Sequence, residues 1–266
     1  MTMTTSPAPD ATVEIERRDR GVACLWMNRP ALHNAFDERL ITGLSEALHA
    51  LAGDDTVRVI VLGGRGKSFS AGADLQYMLR QGQAGEAENR AAALAMGAVF
   101  RALNESRKPT VARVQGAALG GGMGLASACH LCVAAEGAVF ATSEVRLGII
   151  PAVISPYVVR AIGERQAYRY FQTAERIDAR RALALGLAHE VAPADELDAV
   201  LQRVIDALLS AGPKAQAAAV DLVRTVADRP IDDALSAELA HRIATIRSTP
   251  EAREGLAGFL DKRSPA

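Results

Sequence analysis

Val111-Ala-Arg-Val-Gln-Gly-Ala-Ala-Leu-Gly-Gly-Gly-Met-Gly-Leu-Ala-Ser-Ala-Cys129 decides how the chain is read. Val111 to Val114 is a short apolar, partly β-branched run of strand type, broken by Gly116. After the glycine triplet, Met123, Leu125 and Ala126 resume an apolar pattern. Five glycines (116, 120, 121, 122 and 124) fall within nine residues. Each costs a helix about 0.8–1.0 kcal/mol against alanine, so helix propensity did not select them. Two explanations stand. One is a small-residue helix packed tightly against a neighbour. The other is close approach of a ligand to a backbone without Cβ atoms, at the free N–H groups and positive dipole end of a helix N-terminus. Such a terminus suits an anion or a developing oxyanion.

Upstream of this stretch, Thr12–Arg17 reads as an edge strand, and Gly21–Met27 and Val57–Leu62 read as buried strands. Asn28-Arg29-Pro30 is a turn, because proline restricts both itself and its predecessor. Phe36–Ala52 has helical spacing, with Leu40, Leu44, Ala47, Leu48 and Leu51 on one face. Ser68–Leu75 leads into a short helix capped near Asp74, and Glu86–Arg107 into a longer one. Downstream, Leu131–Ala134 and Ala138–Ala141 are strand-like. The alternation of strand and helix predicts right-handed crossovers on a largely parallel sheet, an α/β fold. From Ser155 onward helices dominate, over 155–162, 165–173, 179–185, 195–210, 213–227, 232–246 and 250–262, with only 188–191 extended. Their modest apolar faces point to a helical layer, part of it covered by another subunit. The expected division is a flexible tail over 1–12, a core over 13–192 and a helical region over 193–266.

The 266 residues are 49% hydrophobic and 23% charged with a net charge of −1, which argues against nucleic acid or an anionic membrane as partner. No apolar run approaches the ~18–20 residues of a spanning helix, and Met1–Thr12 has no signal-peptide pattern, so a cytoplasmic setting is expected. Cys129-His-Leu-Cys132 has redox or half-zinc spacing, but no second ligand pair accompanies it. In that apolar setting the two cysteines read as small hydrophobes, and no metal site is expected. His33 and His130 read as packing residues.

Three stretches carry a resemblance: Asn28-Arg-Pro-Ala-Leu-His-Asn-Ala35, Phe69-Ser-Ala-Gly-Ala-Asp-Leu75 and Gln115-Gly-Ala-Ala-Leu-Gly-Gly-Gly122. In this order and spacing the chain resembles the enoyl-CoA hydratase/isomerase (crotonase) superfamily, from about Val13 to Pro265. The resemblance implies a crotonase-like spiral of ββα units with a C-terminal helical trimerisation region, and a homotrimer or a hexamer built from two trimers. It implies a CoA thioester substrate, coenzyme A being part of that substrate and no separate cofactor being needed. The N–H groups of Ala73 and Gly121 match the family's oxyanion-hole positions, flanked by Gly72 and Gly120. Backbone groups around Ser70, Ala71 and Ala73, within the run to Asp74 and Leu75, match the adenine site. Arg29, Lys67 and Lys262, the last from a neighbouring subunit, are either CoA phosphate partners or ordinary solvated charges.

Typical hydratases of this family carry two glutamates. The first position is Gly124 here; the second is Glu144, in Ala141-Thr-Ser-Glu-Val-Arg-Leu-Gly-Ile-Ile-Pro151. The motif context implies Glu144 as acid/base, its pKa raised by apolar surroundings such as Leu147 and Ile149. One carboxylate serves either syn addition of water across a 2,3-enoyl double bond or Δ3,Δ2-isomerisation. A non-catalytic CoA-binding subunit is the reading from another class. The stretch from Ser143 to Arg165, with Tyr170–Glu175, resembles bacterial methylglutaconyl-CoA hydratases of leucine degradation and favours hydration. Gln76, Tyr77, Met78, Arg80 and Met96 are expected near the acyl group.

Overall fold

Val22-Ala-Cys-Leu-Trp-Met27 and Val59-Ile-Val-Leu-Gly-Gly64 are apolar at successive positions, so neither face of such a strand tolerates water. In the computed structural model, which describes residues 11–260, they form β2 (Val22–Met27) and β3 (Val59–Gly64), paired in parallel and buried throughout. β1 (Val13–Arg18) runs antiparallel along the outer edge of β2. β4 (Thr110–Val114), β6 (Leu131–Ala135) and β9 (Glu190–Ala192) continue the parallel pairing, giving the order β1-β2-β3-β4-β6-β9.

A second sheet of three strands lies beside it: β5 (Ala117–Leu119), β7 (Val139–Ala141) and β8 (Ile177–Asp178). The chain turns from β4 into β5 at Gly116, whose φ of +60 lies in the left-handed region that favours glycine. A methyl group there would also come within 2.1 Å of the Lys67 carbonyl oxygen. The helix α4 (Gly121–Ala128) then follows β5, and β6 and β7 repeat the strand–corner–strand step. This is the spiral of ββα units that the resemblance implies. The second sheet is less visible in sequence: Ala-Ala-Leu shows no alternation, and β8 has only two residues.

One face of the large sheet is covered by α1 (Glu38–Gly53), α3 (Glu86–Asn104) and α4. Leu40, Leu44, Leu48 and Leu51 of α1 pack there with Leu25, Leu62, Phe100 and Leu103. The Asp37 side chain caps α1 by accepting from the Leu40 N–H at 2.9 Å. The opposite face is covered by α8 (Leu197–Leu209), which lays Leu197, Val200, Leu201 and Ile205 on Val59, Val61, Val111 and Val133. The expected boundary at 193 therefore cuts through a packed unit. Helical periodicity shows that α8 has a buried face without saying what buries it.

Between β7 and β9 the chain forms α5 (Ser155–Ile162), α6 (Glu164–Thr173) and α7 (Ala179–Leu185). Past α8 come α9 (Pro213–Val226), α10 (Asp233–Arg247) and α11 (Pro250–Leu260). Among the described residues α9 and α11 bury none of their side chains and α10 buries only Leu235, leaving Leu222, Val223, Ile243, Leu256 and Phe259 exposed. Among the described residues no helix is long and apolar enough to cross a membrane. Cys129 and Cys132 are buried free thiols, and burial pushes Cys132 up to about 12. No group of three metal-ligating side chains occurs among the described residues. The first ten residues of the expected 1–12 tail lie outside them.

Candidate active site

Three separate segments meet at the N-terminus of α4. Ser70 is laced to β5: its N–H donates to the Ala117 carbonyl at 2.9 Å, and its carbonyl accepts from the Leu119 N–H at 2.9 Å. Phe36 grips the next residues, donating its N–H to the Gly72 carbonyl at 2.7 Å and accepting from the Asp74 N–H at 2.8 Å. These bonds carry Gly72 and Ala73 up to the glycine triplet. Gly120 is anchored to β7 by its N–H on the Ala141 carbonyl at 2.8 Å, with a φ of +50. A methyl group on Gly120 would lie 3.1 Å from Glu144 Oε1 and 3.9 Å from the Gly72 Cα. Only glycine leaves this approach open. The N–H of Ala73 and that of Gly121, the first residue of α4, donate to no group among the described residues.

Glu144 opens a short 3₁₀ turn after β7. Its carboxyl is largely withdrawn from water, and Oε2 is buried with no hydrogen-bond partner among the described residues. Burial pushes its pKa up, and a hydrogen bond from its own backbone N–H pulls part of the way back. Leu147, Ile149 and Ile150 follow it and stay exposed, as do Leu75 and Leu79 of α2 (Leu75–Gln83), the helix that starts just beyond Ala73. Two unpaired N–H donors, a buried carboxyl and flanking apolar side chains are what stabilising an oxyanion while moving a proton requires.

The model of the enoyl-CoA hydratase/isomerase family matches residues 17–266. The chain belongs to that family. It is similar to an enoyl-CoA hydratase structure from Shewanella pealeana, at 42% identity and a TM-score of 0.92, covering 96% of this chain and 95% of that one. It is also similar to the crotonyl-CoA hydratase of Syntrophomonas wolfei, at 33% identity over 94% of this chain and 95% of that protein. The 2,3-dehydroadipyl-CoA hydratase of Escherichia coli is 32% identical over 94% of this chain and 96% of that protein.

In this hydratase/isomerase-family chain the remaining site candidates separate. Arg29 turns its guanidinium inward among protein groups. Its side chain is 13% exposed and its guanidinium is shared between Asp37 (3.0 Å), Asp74 (3.3 Å) and the Ala35 carbonyl. Asp74 also caps α2, accepting from the N–H groups of Gln76 (2.9 Å) and Tyr77 (3.3 Å). Ser70 has both backbone groups engaged with β5, while its hydroxyl donates to the Asn34 carbonyl at 2.8 Å and accepts from the Gly72 N–H at 3.2 Å. The Ala71 N–H is taken by the His33 carbonyl, while the Ala71 and Ala73 carbonyls accept nothing among the described residues. Lys67 is exposed on the loop after β3; Lys262 lies outside the described residues.

His130 is a packing residue, accepting from the Thr110 N–H at 3.2 Å through Nδ1. His33 contacts the Ser68 hydroxyl at 3.1 Å. Sequence reasoning missed Phe36 as an organiser of the site, because an aromatic at a helix start carries no chemical signal. It also missed Asn34, fully buried at φ +55, whose amide donates to the Arg65 and Ser68 carbonyls at 2.9 and 2.8 Å. A left-handed non-glycine residue hidden between charged and apolar neighbours gives little warning in sequence.

Proposed function

We propose that this chain is an enoyl-CoA hydratase, adding water across the 2,3-double bond of an enoyl-CoA to give a 3-hydroxyacyl-CoA. The observation that carries the reading is the unpartnered, buried Glu144 oxygen in a carboxyl that reaches Gly120 beside Gly72. The thioester carbonyl accepts from the Ala73 and Gly121 N–H groups, which strengthen their hold as negative charge develops on its oxygen. Losing one such donor typically costs 10²–10³-fold in rate. Ionised Glu144 takes a proton from water as the hydroxyl adds to C3, then returns that proton to C2 from the same face. The product gains one water, and Glu144 ends as it began. The Ala71 and Ala73 carbonyls are proposed to hold the adenine, with no cofactor beyond the substrate's own coenzyme A. The exposed apolar faces of α9, α10 and α11 support a trimeric or hexameric assembly, and the lack of any spanning helix among the described residues fits a cytoplasmic enzyme.

The acyl group is the finer question. The resemblance around Ser143–Arg165 supports 3-methylglutaconyl-CoA, whereas the two named relatives point to crotonyl- and 2,3-dehydroadipyl-CoA. The lone carboxyl, with glycine at 124, also favours a second reading as a Δ3,Δ2-enoyl-CoA isomerase. Loss of the conjugated enoyl-thioester absorbance when enzyme meets each of the three 2-enoyl-CoAs supports hydration. Absorbance gained from a 3-enoyl-CoA, with the 2-enoyl-CoAs left untouched, replaces the first reading by the second.

A further inference from the structure

Gly124 follows Gly120 by one helical turn, its N–H donating to the Gly120 carbonyl at 3.0 Å, so the two lie on one face of α4. At the upper position that face meets Glu144. At the lower it meets Ile154: a methyl group on Gly124 would lie 2.2 Å from Ile154 Cγ2, 2.8 Å from Ile154 Cβ and 3.2 Å from Phe100 Cε1. None of these atoms is free to retreat. Ile154 is 4% exposed, and its carbonyl accepts two N–H groups in the first turn of α5, from Tyr157 and Val158, at 3.1 Å each. Phe100 is fully buried, its ring 5.8 Å from that of Tyr157.

Building on the hydratase reading, we propose that Ile154 is a specificity-determining residue. It fills the volume one turn below Glu144 and so excludes both a second carboxyl from position 124 and a longer acyl group from the crevice. The glycine at 124 and the isoleucine at 154 are then one device. Each is the shape the other requires, and together they leave Glu144 to do the acid–base work alone.

The test compares the wild type with Ile154→Ala, Gly124→Glu and the exchange variant Gly124→Glu/Ile154→Gly, on crotonyl-CoA and on 2-hexenoyl-CoA. One methylene at an apolar wall changes selectivity roughly 10–200-fold. Ile154→Ala is expected to raise the hexenoyl-to-crotonyl ratio of kcat/KM by at least about tenfold; a parallel fall for both substrates means a merely structural residue and overturns the proposal. Gly124→Glu is expected to lose thermal stability, and the exchange variant to recover most of it. The acid limb of kcat/KM against pH, one ionisation in the wild type, becomes two in the exchange variant, since paired carboxyls titrate in separate steps. A Gly124→Glu protein as stable as the wild type, or a folded exchange variant with one ionisation, overturns it too. If the exchange variant does not fold, the Ile154→Ala selectivity decides alone. A wild type that hydrates no enoyl-CoA sinks the hydratase reading instead, and leaves the stability comparison to judge whether Ile154 fills the space.

Discussion

Gly121→Ala puts the proposed oxyanion donors under direct load. The added methyl would sit 2.5 Å from Phe36 Cε2 and 3.0 Å from Phe36 Cδ2, inside van der Waals contact with a fully buried ring. Overpacking of that kind costs about 1–3 kcal/mol, while alanine regains at most about 1 kcal/mol of helix propensity. The clash wins, and a net loss of about 1–2 kcal/mol corresponds to roughly 2–8 °C in Tm for a chain of this size. The effect on rate is expected to be larger. Phe36 grips Gly72 and Asp74 through its own backbone at 2.7 and 2.8 Å, so a displaced Phe36 drags the Ala73 N–H while the Gly121 N–H shifts with its own residue. Misplacing even one donor is worth about 10²–10³-fold in kcat. The assay follows crotonyl-CoA hydration by absorbance beside thermal denaturation. Gly121→Ala/Phe36→Leu, which removes the clashing ring atoms, should regain at least about tenfold of the lost kcat. A Gly121→Ala enzyme whose Tm falls while kcat stays within about threefold of wild type refutes the coupling of Phe36 to the donors.

Further outcomes follow from the same geometry. Glu144→Gln should keep CoA-thioester affinity, measured calorimetrically, while turnover falls by at least about 10²-fold; unchanged hydration removes Glu144 from the mechanism. Burial raises the Glu144 pKa, so log kcat/KM should fall on acidification from a pH above the ordinary carboxylate value of 4.5, and a profile flat down to that value contradicts an ionised base. Arg29→Met strands the partly buried Asp37 and Asp74 carboxyls and should cost about 3 kcal/mol of stability by denaturant titration while leaving KM for crotonyl-CoA alone. A raised KM with unchanged stability would restore Arg29 as a phosphate ligand. His130 and His189 each accept a backbone N–H at Nδ1, from Thr110 at 3.2 Å and Cys132 at 3.1 Å, and burial lowers both pKa values below the ordinary 6.5. Groups depressed in this way favour the neutral form in the fold. Their contribution is therefore complete above about pH 6.5 and lost as pH falls from there, and Tm should drop over that window less steeply in His189→Gln.

The middle of the sheet was legible because β2, β3 and β6 are apolar at every position, and α1 because its leucines recur at helical spacing; both signals are local. What escaped was partnership across distance. Arg29 reads as a free cation until Asp74, 45 residues on, is seen beside it. α8 reads as a member of a separate helical layer until Val59, Val111 and Val133 are seen beneath it. The glycine stretch makes the point most sharply, since close packing accounts for three of its glycines and proximity to Glu144 sets a fourth apart. A methyl on Gly121 would strike Phe36, on Gly122 the Ser70 carbonyl at 2.5 Å and on Gly124 Ile154, so these three let α4 seat against the protein itself. Only at Gly120 does the missing methyl face a carboxyl, that of Glu144. In the proposed mechanism this tight seating sets the depth of the helix N-terminus, and with it the position of the Gly121 N–H. Packing glycines and a glycine that faces Glu144 therefore stand side by side, and no count of glycines in the sequence could have told one from the other.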